Sequence, residues 1–101
     1  MTIGEIPLTA DNQRFSIQLG GQQLSFTLQW RDEAGWLADI RDENDMPLLS
    51  GLPLVTGGDL LAPYRHLGLR GELHVIADDP GQPAPGKTSL GARHHLWYIS
   101  A

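Results

Sequence analysis

The sequence predicts an all-β fold, a small antiparallel β-sandwich or partly open barrel of about seven strands with one short helical turn. Three observations carry this expectation. Apolar and polar residues alternate with period two over long stretches. The connections between those stretches have hairpin-turn chemistry. Twelve glycines and seven prolines in 101 residues call for many turns. The length suits a single domain, residues 1–101, with one modest core.

The elements follow in order. A first strand is expected over Ile3 to Leu8. Phe15, Ile17 and Leu19 then alternate with Arg14, Ser16 and Gln18, and Leu24, Phe26, Leu28 and Trp30 alternate with Ser25, Thr27 and Gln29. A strand sends successive side chains to opposite faces, so each segment has one dry and one wet face. Gly20-Gly21 between them supplies the positive φ of a two-residue turn. That turn sets Leu19 opposite Gln22, Ile17 opposite Leu24 and Phe15 opposite Phe26, and a slip of one residue would drown one apolar set. Asp32-Glu33-Ala34-Gly35 suits a type I turn followed by a left-handed glycine. It places Trp30 opposite Trp36, Leu28 opposite Ala38 and Phe26 opposite Ile40. Strands 14–19, 22–31 and 36–42 thus form a meander with a common apolar face.

Asp42 to Asp45 reads as a turn, because Asn and Asp bond their own backbone and tolerate left-handed φ. Met46 to Ser50 and Leu52 to Val55 are expected as short strands, with Pro47 and Pro53 suited to strand starts or edges. Pro63 to Leu67, closed by Gly68, fits a helical turn. Glu72 to Ala77 and Arg93 to Ser100 complete the strands. Residues 78–91, with Pro80, Pro83 and Pro85, form a long loop of the kind that is usually functional or mobile.

Composition excludes several functions. Seven Lys and Arg against twelve Asp and Glu give a net charge of −5, which opposes a nucleic-acid partner. No cysteine is present, so disulfides, thiolate metal sites and a cysteine nucleophile are excluded. No apolar run reaches the roughly 20 residues of a membrane-spanning helix, and the first residues lack the cationic start of a signal peptide.

Gly81 to Thr88 matches the phosphate-loop pattern G-x-x-x-x-G-K-[ST]. That chemistry needs converging backbone N–H groups and a helix starting at the Lys-Thr pair. Pro83 and Pro85 have no N–H to offer, and the residues after Thr88 run into an apparent strand. A hairpin loop is the better reading. His94 and His95 are neighbours in a strand and point to opposite faces, so they do not chelate one ion. His66 and His74 are likewise read as ordinary surface or strand positions. The acidic stretch Asp39 to Asp45 lacks the glycine and bidentate glutamate of a calcium loop. Trp30, Trp36 and Trp97 are the candidates for a sugar- or peptide-stacking platform, but Trp30 and Trp36 share the apolar face and are expected in the core, the ring N–H reaching a backbone acceptor near the turn.

Three segments have a further significance as strings. Trp30-Arg31-Asp32-x-x-Gly35-Trp36, Pro53-Leu54-Val55-Thr56-Gly57-Gly58-Asp59-Leu60-Leu61 and Tyr64-Arg65-His66-Leu67-Gly68 follow one another in an order that resembles the phage baseplate plug family. These are small proteins encoded among the tail genes of contractile-tailed phages and prophages. Pro63 departs from the helix-compatible residue expected there and shortens the local helix. The resemblance covers about Phe15 to Ser100. It implies a virion structural protein of the tail baseplate, made in the bacterial host cytoplasm. Such a protein contacts hub and tail-tube proteins near the tail axis as part of a homo-oligomeric ring. It implies no enzymatic activity, no cofactor, and no catalytic or metal-binding residue.

Candidate contact surfaces are Leu52 to Gly71 and the loop 78–91, in particular Pro53, Leu54, Val55, Asp59, Leu60, Leu61, Tyr64, Arg65, Pro83 and Pro85. The competing expectation is a stand-alone β-barrel module that grips a glycan or peptide with its tryptophans and the long loop.

Overall fold

The computed structural model describes residues 2–19, 21–79, 81 and 84–100. It is all-β, with seven strands in two antiparallel sheets and no closed barrel. The strands are β1 (Thr2–Ile6), β2 (Gln13–Leu19), β3 (Gln22–Arg31), β4 (Gly35–Arg41), β5 (Pro47–Pro53), β6 (Glu72–Ala77) and β7 (His94–Ser100). One sheet is the meander β2-β3-β4-β5; the other has the order β1-β7-β6.

The register of the meander is the one its alternation demands. Phe15 lies opposite Phe26, Ile17 opposite Leu24, Phe26 opposite Ile40, Leu28 opposite Ala38 and Trp30 opposite Trp36. Phe15 and Phe26 stack with centroids 5.4 Å apart, and Trp30 meets Trp36 edge to face at 5.7 Å. Gly35 takes φ +82° to close the second hairpin, a conformation open to glycine at little cost.

The two segments expected as strands, Met46 to Ser50 and Leu52 to Val55, are joined in one strand, Pro47–Pro53. Its pairing with β4 is interrupted by register shifts around Ile40, where Gly51 has φ +70° and donates its N–H to Asp39 Oδ1 at 2.8 Å. The break between the two expected segments is therefore a bulge anchored by a carboxylate. Val55 lies beyond the strand. β1 ends at Ile6, before Pro7, which has no N–H for a ladder. β7 begins at His94, one residue later than expected, after a turn in which the Ser89 carbonyl accepts the N–H groups of Arg93 and His94. The helical turn is a 3-10 turn over Ala62–Leu67, capped by left-handed Gly68. In the acidic turn, Asp42 Oδ1 accepts the N–H groups of Asn44 and Met46, and Asp45 carries φ +62° while pairing with Arg14 and Arg41.

The two sheets close on one core. The meander supplies Leu24, Phe26, Leu28, Trp36, Ala38, Ile40 and Leu52; the three-stranded sheet supplies Ile6, Leu73, Val75, Leu96 and Tyr98. Full burial of each large apolar side chain contributes about 1.5–3 kcal/mol relative to exposure. The shortest dimension of the fold, 22 Å, fits two layers packed about 10 Å apart with their outer side chains. Gln22 joins the layers: its side chain donates to the Gly68 carbonyl and accepts from the Arg70 N–H, while Tyr98 donates its hydroxyl to the Arg70 carbonyl.

Candidate interaction surfaces

The segment from Leu54 to Gly71 leaves the meander and folds along the edge of β6. Thr56 forms a parallel bridge to Val75, and the Leu60 N–H donates to the Leu73 carbonyl at 2.8 Å. Asp59 fixes this arrangement. Its Oδ1 accepts the N–H of Leu61 at 3.0 Å and of Leu73 at 2.9 Å, and its Oδ2 pairs with Arg65. Arg65 also donates to the Gly71 carbonyl. An exposed strand edge is a liability, and this segment covers one.

That packing redistributes the contact candidates. Leu54, Leu60 and Leu61 are only 2%, 8% and 3% exposed, so they are core residues whose side chains are not offered to a partner. The reason is that the segment turns inward to seal the β6 edge. Asp59 is an internal staple. Tyr64 is half-buried against the core, and Arg65, although exposed, is engaged by Asp59 and Gly71. Pro53 and Val55 do face outward.

The loop 78–91 is partly anchored. Pro85 is buried rather than displayed, and Pro83 lies outside the described residues. Trp36 Nε1 donates to the Gly86 carbonyl at 3.0 Å, so this indole is tied to the loop rather than to its own hairpin. The Trp30 ring N–H donates to Asp32 Oδ1 at 2.8 Å, close to the turn but to a side-chain carboxylate rather than the backbone acceptor expected. Both rings serve packing. At the end of the phosphate-loop pattern the Gly86 N–H is held by Ser89 Oγ at 2.8 Å, and Lys87 and Thr88 enter a turn, not a helix. Among the described residues of the pattern, no helix starts at Lys87-Thr88.

Ser89 Oγ also lies 3.0 Å from Nδ1 of His94, which is 3% exposed. The other ring nitrogen, Nε2, is buried without a hydrogen-bond partner. Burial pushes the His94 pKa down, opposed by the charge of Asp78 and assisted by that of His95. His94 is therefore a neutral ring under the loop. Beside it lies a cavity of about 200 Å³ lined by Asp79, Gly86, Ser89, Arg93 and His94.

Asp59, Glu72 and His74 place one ligand-type atom each within 4.8 Å of one another. Glu72 Oε1 lies 2.8 Å from His74 Nε2, and both Asp59 oxygens are engaged. A cation here would compete with the Arg65 guanidinium, which already pairs with Asp59 Oδ2.

The outer faces of the two sheets differ. On the meander, Ser16 and Ser25 share a hydroxyl contact of 3.2 Å, and Arg14, Thr27, Gln29 and Asp39 continue a polar surface. On the three-stranded sheet the register sets Ile3 beside Ile99 and Glu72, Glu5 beside Trp97 and His74, and His95 beside Ile76. His95 Nδ1 lies 2.9 Å from Glu5 and its Nε2 3.1 Å from Asp78. The hydrogen bond to Glu5 raises its pKa, with Asp78 adding to the effect against partial burial. Of these outer residues, Asp78 belongs to the candidate loop 78–91 and Trp97 to the tryptophans of the competing expectation, whereas Ile3, Glu5, Glu72, Ile76 and Ile99 are not among the candidates read from sequence. The available signal was in β7, where Leu96 and Tyr98 are apolar on one face and Trp97 and Ile99 on the other.

No curated protein matches this chain. A family model does, that of the cyanophage baseplate Pam3 plug gp18, over residues 3–101.

Proposed function

The chain belongs to the cyanophage baseplate plug family, and from that premise we propose that it is a non-catalytic assembly subunit contacting hub and tube proteins near the axis of a phage or prophage tail. Membership makes it a structural baseplate component with its place in the virion tail. The observation that carries the proposal is the extent of the match, which spans both sheets, the β6-edge segment and the long loop.

The arrangements that resemble chemistry support the non-catalytic part. The Lys87-Thr88 end of the phosphate-loop pattern lies in a turn, the Ser89–His94 contact fastens a loop, and the Asp59 cluster holds backbone N–H groups. Closed symmetry is the usual way to repeat one small subunit around an axis, so the proposal includes a homo-oligomeric ring. A chain without cysteine also suits synthesis and assembly in a host cytoplasm before release.

The test is reconstitution. The chain is purified with the hub and tube proteins encoded beside it and followed by native mass spectrometry and light scattering. Co-migration with hub or tube protein, in a fixed multiple of this chain, is the expected result. A chain that stays monomeric and unbound in the presence of each of them overturns the proposal.

A further inference from the structure

We propose that the outer face of the three-stranded sheet, β1-β7-β6, is the surface that docks a partner protein, and that the partner presents apolar side chains rimmed by lysine or arginine. This rests on the baseplate reading for the identity of the partner, but not for its chemistry.

The face is apolar where a two-layer sandwich normally meets water. Ile3 and Ile76 are 58% and 52% exposed, and Trp97 and Ile99 lie half-buried between them on the central strand. Antiparallel sheets usually alternate apolar-in with polar-out. Here β7 is apolar on both sides, whereas the outer face of the meander is mostly serine, threonine, glutamine and arginine, with half-buried Leu37 as its apolar member on β4. A cluster of exposed apolar side chains rimmed by polar groups marks a contact site.

Charge selects the occupant. β1, β6 and β7 contain no lysine or arginine, whereas the meander carries Arg14, Arg31 and Arg41. The charged groups around the apolar cluster are Glu5, Glu72, Asp78 and Asp79, with His74 and His95 among them and Arg93, whose carbonyl accepts the Asp78 N–H, at one end, so carboxylates outnumber the arginine four to one. Arg65, which approaches through Asp59, is already engaged. Two copies of this face would oppose carboxylate to carboxylate, so a second copy is the wrong partner, and a basic surface is the right one. A hollow of about 300 Å³ beside Ile76, bounded by Thr56, Gly57, Ala77 and Asp79, suits a long cationic side chain. Its methylenes would lie on Ile76 and its charge near Asp79. β1 is also the outer strand of the sheet, so the face runs to a strand edge.

Two measurements test the assignment with purified hub and tube proteins as probes. Ile3→Lys/Ile76→Lys is compared with Ser16→Lys/Gln18→Lys on the polar face of the meander, after circular dichroism and melting establish that each is folded. The first pair is expected to weaken binding about tenfold or more and the second to leave it within about twofold. Zero-length carbodiimide coupling of the wild-type complex, which needs no variant, is expected to join partner lysines to Glu5, Glu72, Asp78 or Asp79. Coupling confined to carboxylates elsewhere, or binding lost only in the Ser16/Gln18 variant, overturns the face while the baseplate reading stands. Wild-type self-association abolished by Ile3→Lys/Ile76→Lys identifies a second copy as the occupant and overturns the partner chemistry. Wild-type protein that binds neither probe overturns both readings.

Discussion

Replacing Asp59 is the sharpest probe of how the chain closes the edge of β6. In Asp59→Ala, the N–H groups of Leu61 and Leu73 lose their acceptor, and Arg65 loses its partner. The Asp59 side chain is only 11% exposed, so water replaces it poorly. Stranding a buried donor costs about 1–3 kcal/mol. Two such groups near the lower end, with a half-exposed ion pair worth at most about 1 kcal/mol, give a loss of about 2–4 kcal/mol. For a domain of this size that lowers Tm by roughly 10 °C or more. Asp59→Asn keeps one carbonyl oxygen at the Oδ1 position and loses chiefly the charge, so about 1 kcal/mol is expected. Arg65→Ala should cost about 0.5–1 kcal/mol, and the alanine effect at Asp59 should persist in its background. The assay is urea unfolding at pH 7. If Asp59→Asn costs as much as Asp59→Ala, or if Arg65→Ala alone reproduces the alanine loss, the backbone-staple account is wrong and the ion pair is the working element.

Three further outcomes follow from the geometry. Trp36→Phe removes the donor to the Gly86 carbonyl and should cost about 1–2 kcal/mol; hydrogen exchange should rise in residues 84–91 more than in β4. Gly91→Ala should be among the most damaging single changes, about 3 kcal/mol or more. Gly91 has φ +80°, and an added Cβ would collide with the Leu8 carbonyl, 2.7 Å from its carbon; thermal melts of the variant check this. The histidines should produce opposite pH slopes. His94, with its pKa lowered on folding, makes stability fall as pH drops below the unfolded value of about 6.5 until its folded pKa is passed. His95, with its pKa raised, contributes stability fully present below about 6.5 and lost as pH rises through its folded pKa. Urea unfolding between pH 5 and 8 should therefore lose the acid-side decline in His94→Asn and lose the gain on acidification in His95→Gln.

The meander was legible because each of its signals is local. Alternation gives the face, a two- or three-residue turn gives the register, and Phe15, Phe26 and Ile40 fall into line with no other information. The 3-10 turn was legible for the same reason, through Pro63 and Gly68. The edge-covering segment was not. Leu54, Leu60 and Leu61 form no period in sequence, and the residue that turns them inward, Asp59, does so by binding an amide fourteen positions away on β6. Polar and apolar residues mixed in an irregular stretch look like surface until a remote acceptor is supplied. The fastening of Trp36 to Gly86 was hidden likewise, since an indole N–H fixes no direction from sequence alone.

The contrast between the two sheets bears on why the apolar outer face belongs to one of them. The meander is built from neighbouring strands, so its contacts close short loops and its outer face can be left polar. The other sheet pairs residues 2–6 with 96–100 and 72–77 with 94–99. It closes across nearly the whole chain, which costs more loop entropy before any ladder bond forms. β7 lies at its centre and must hold both neighbours, and its inner residues Leu96 and Tyr98 alone suffice to fill the core side. Trp97 and Ile99 add apolar surface outside without adding to that core. A side chain selected only for the isolated fold would be polar at those positions, as Ser25 and Thr27 are on β3. The burial that accounts for Trp97 and Ile99 is therefore one the free chain does not complete, and a covering partner completes it.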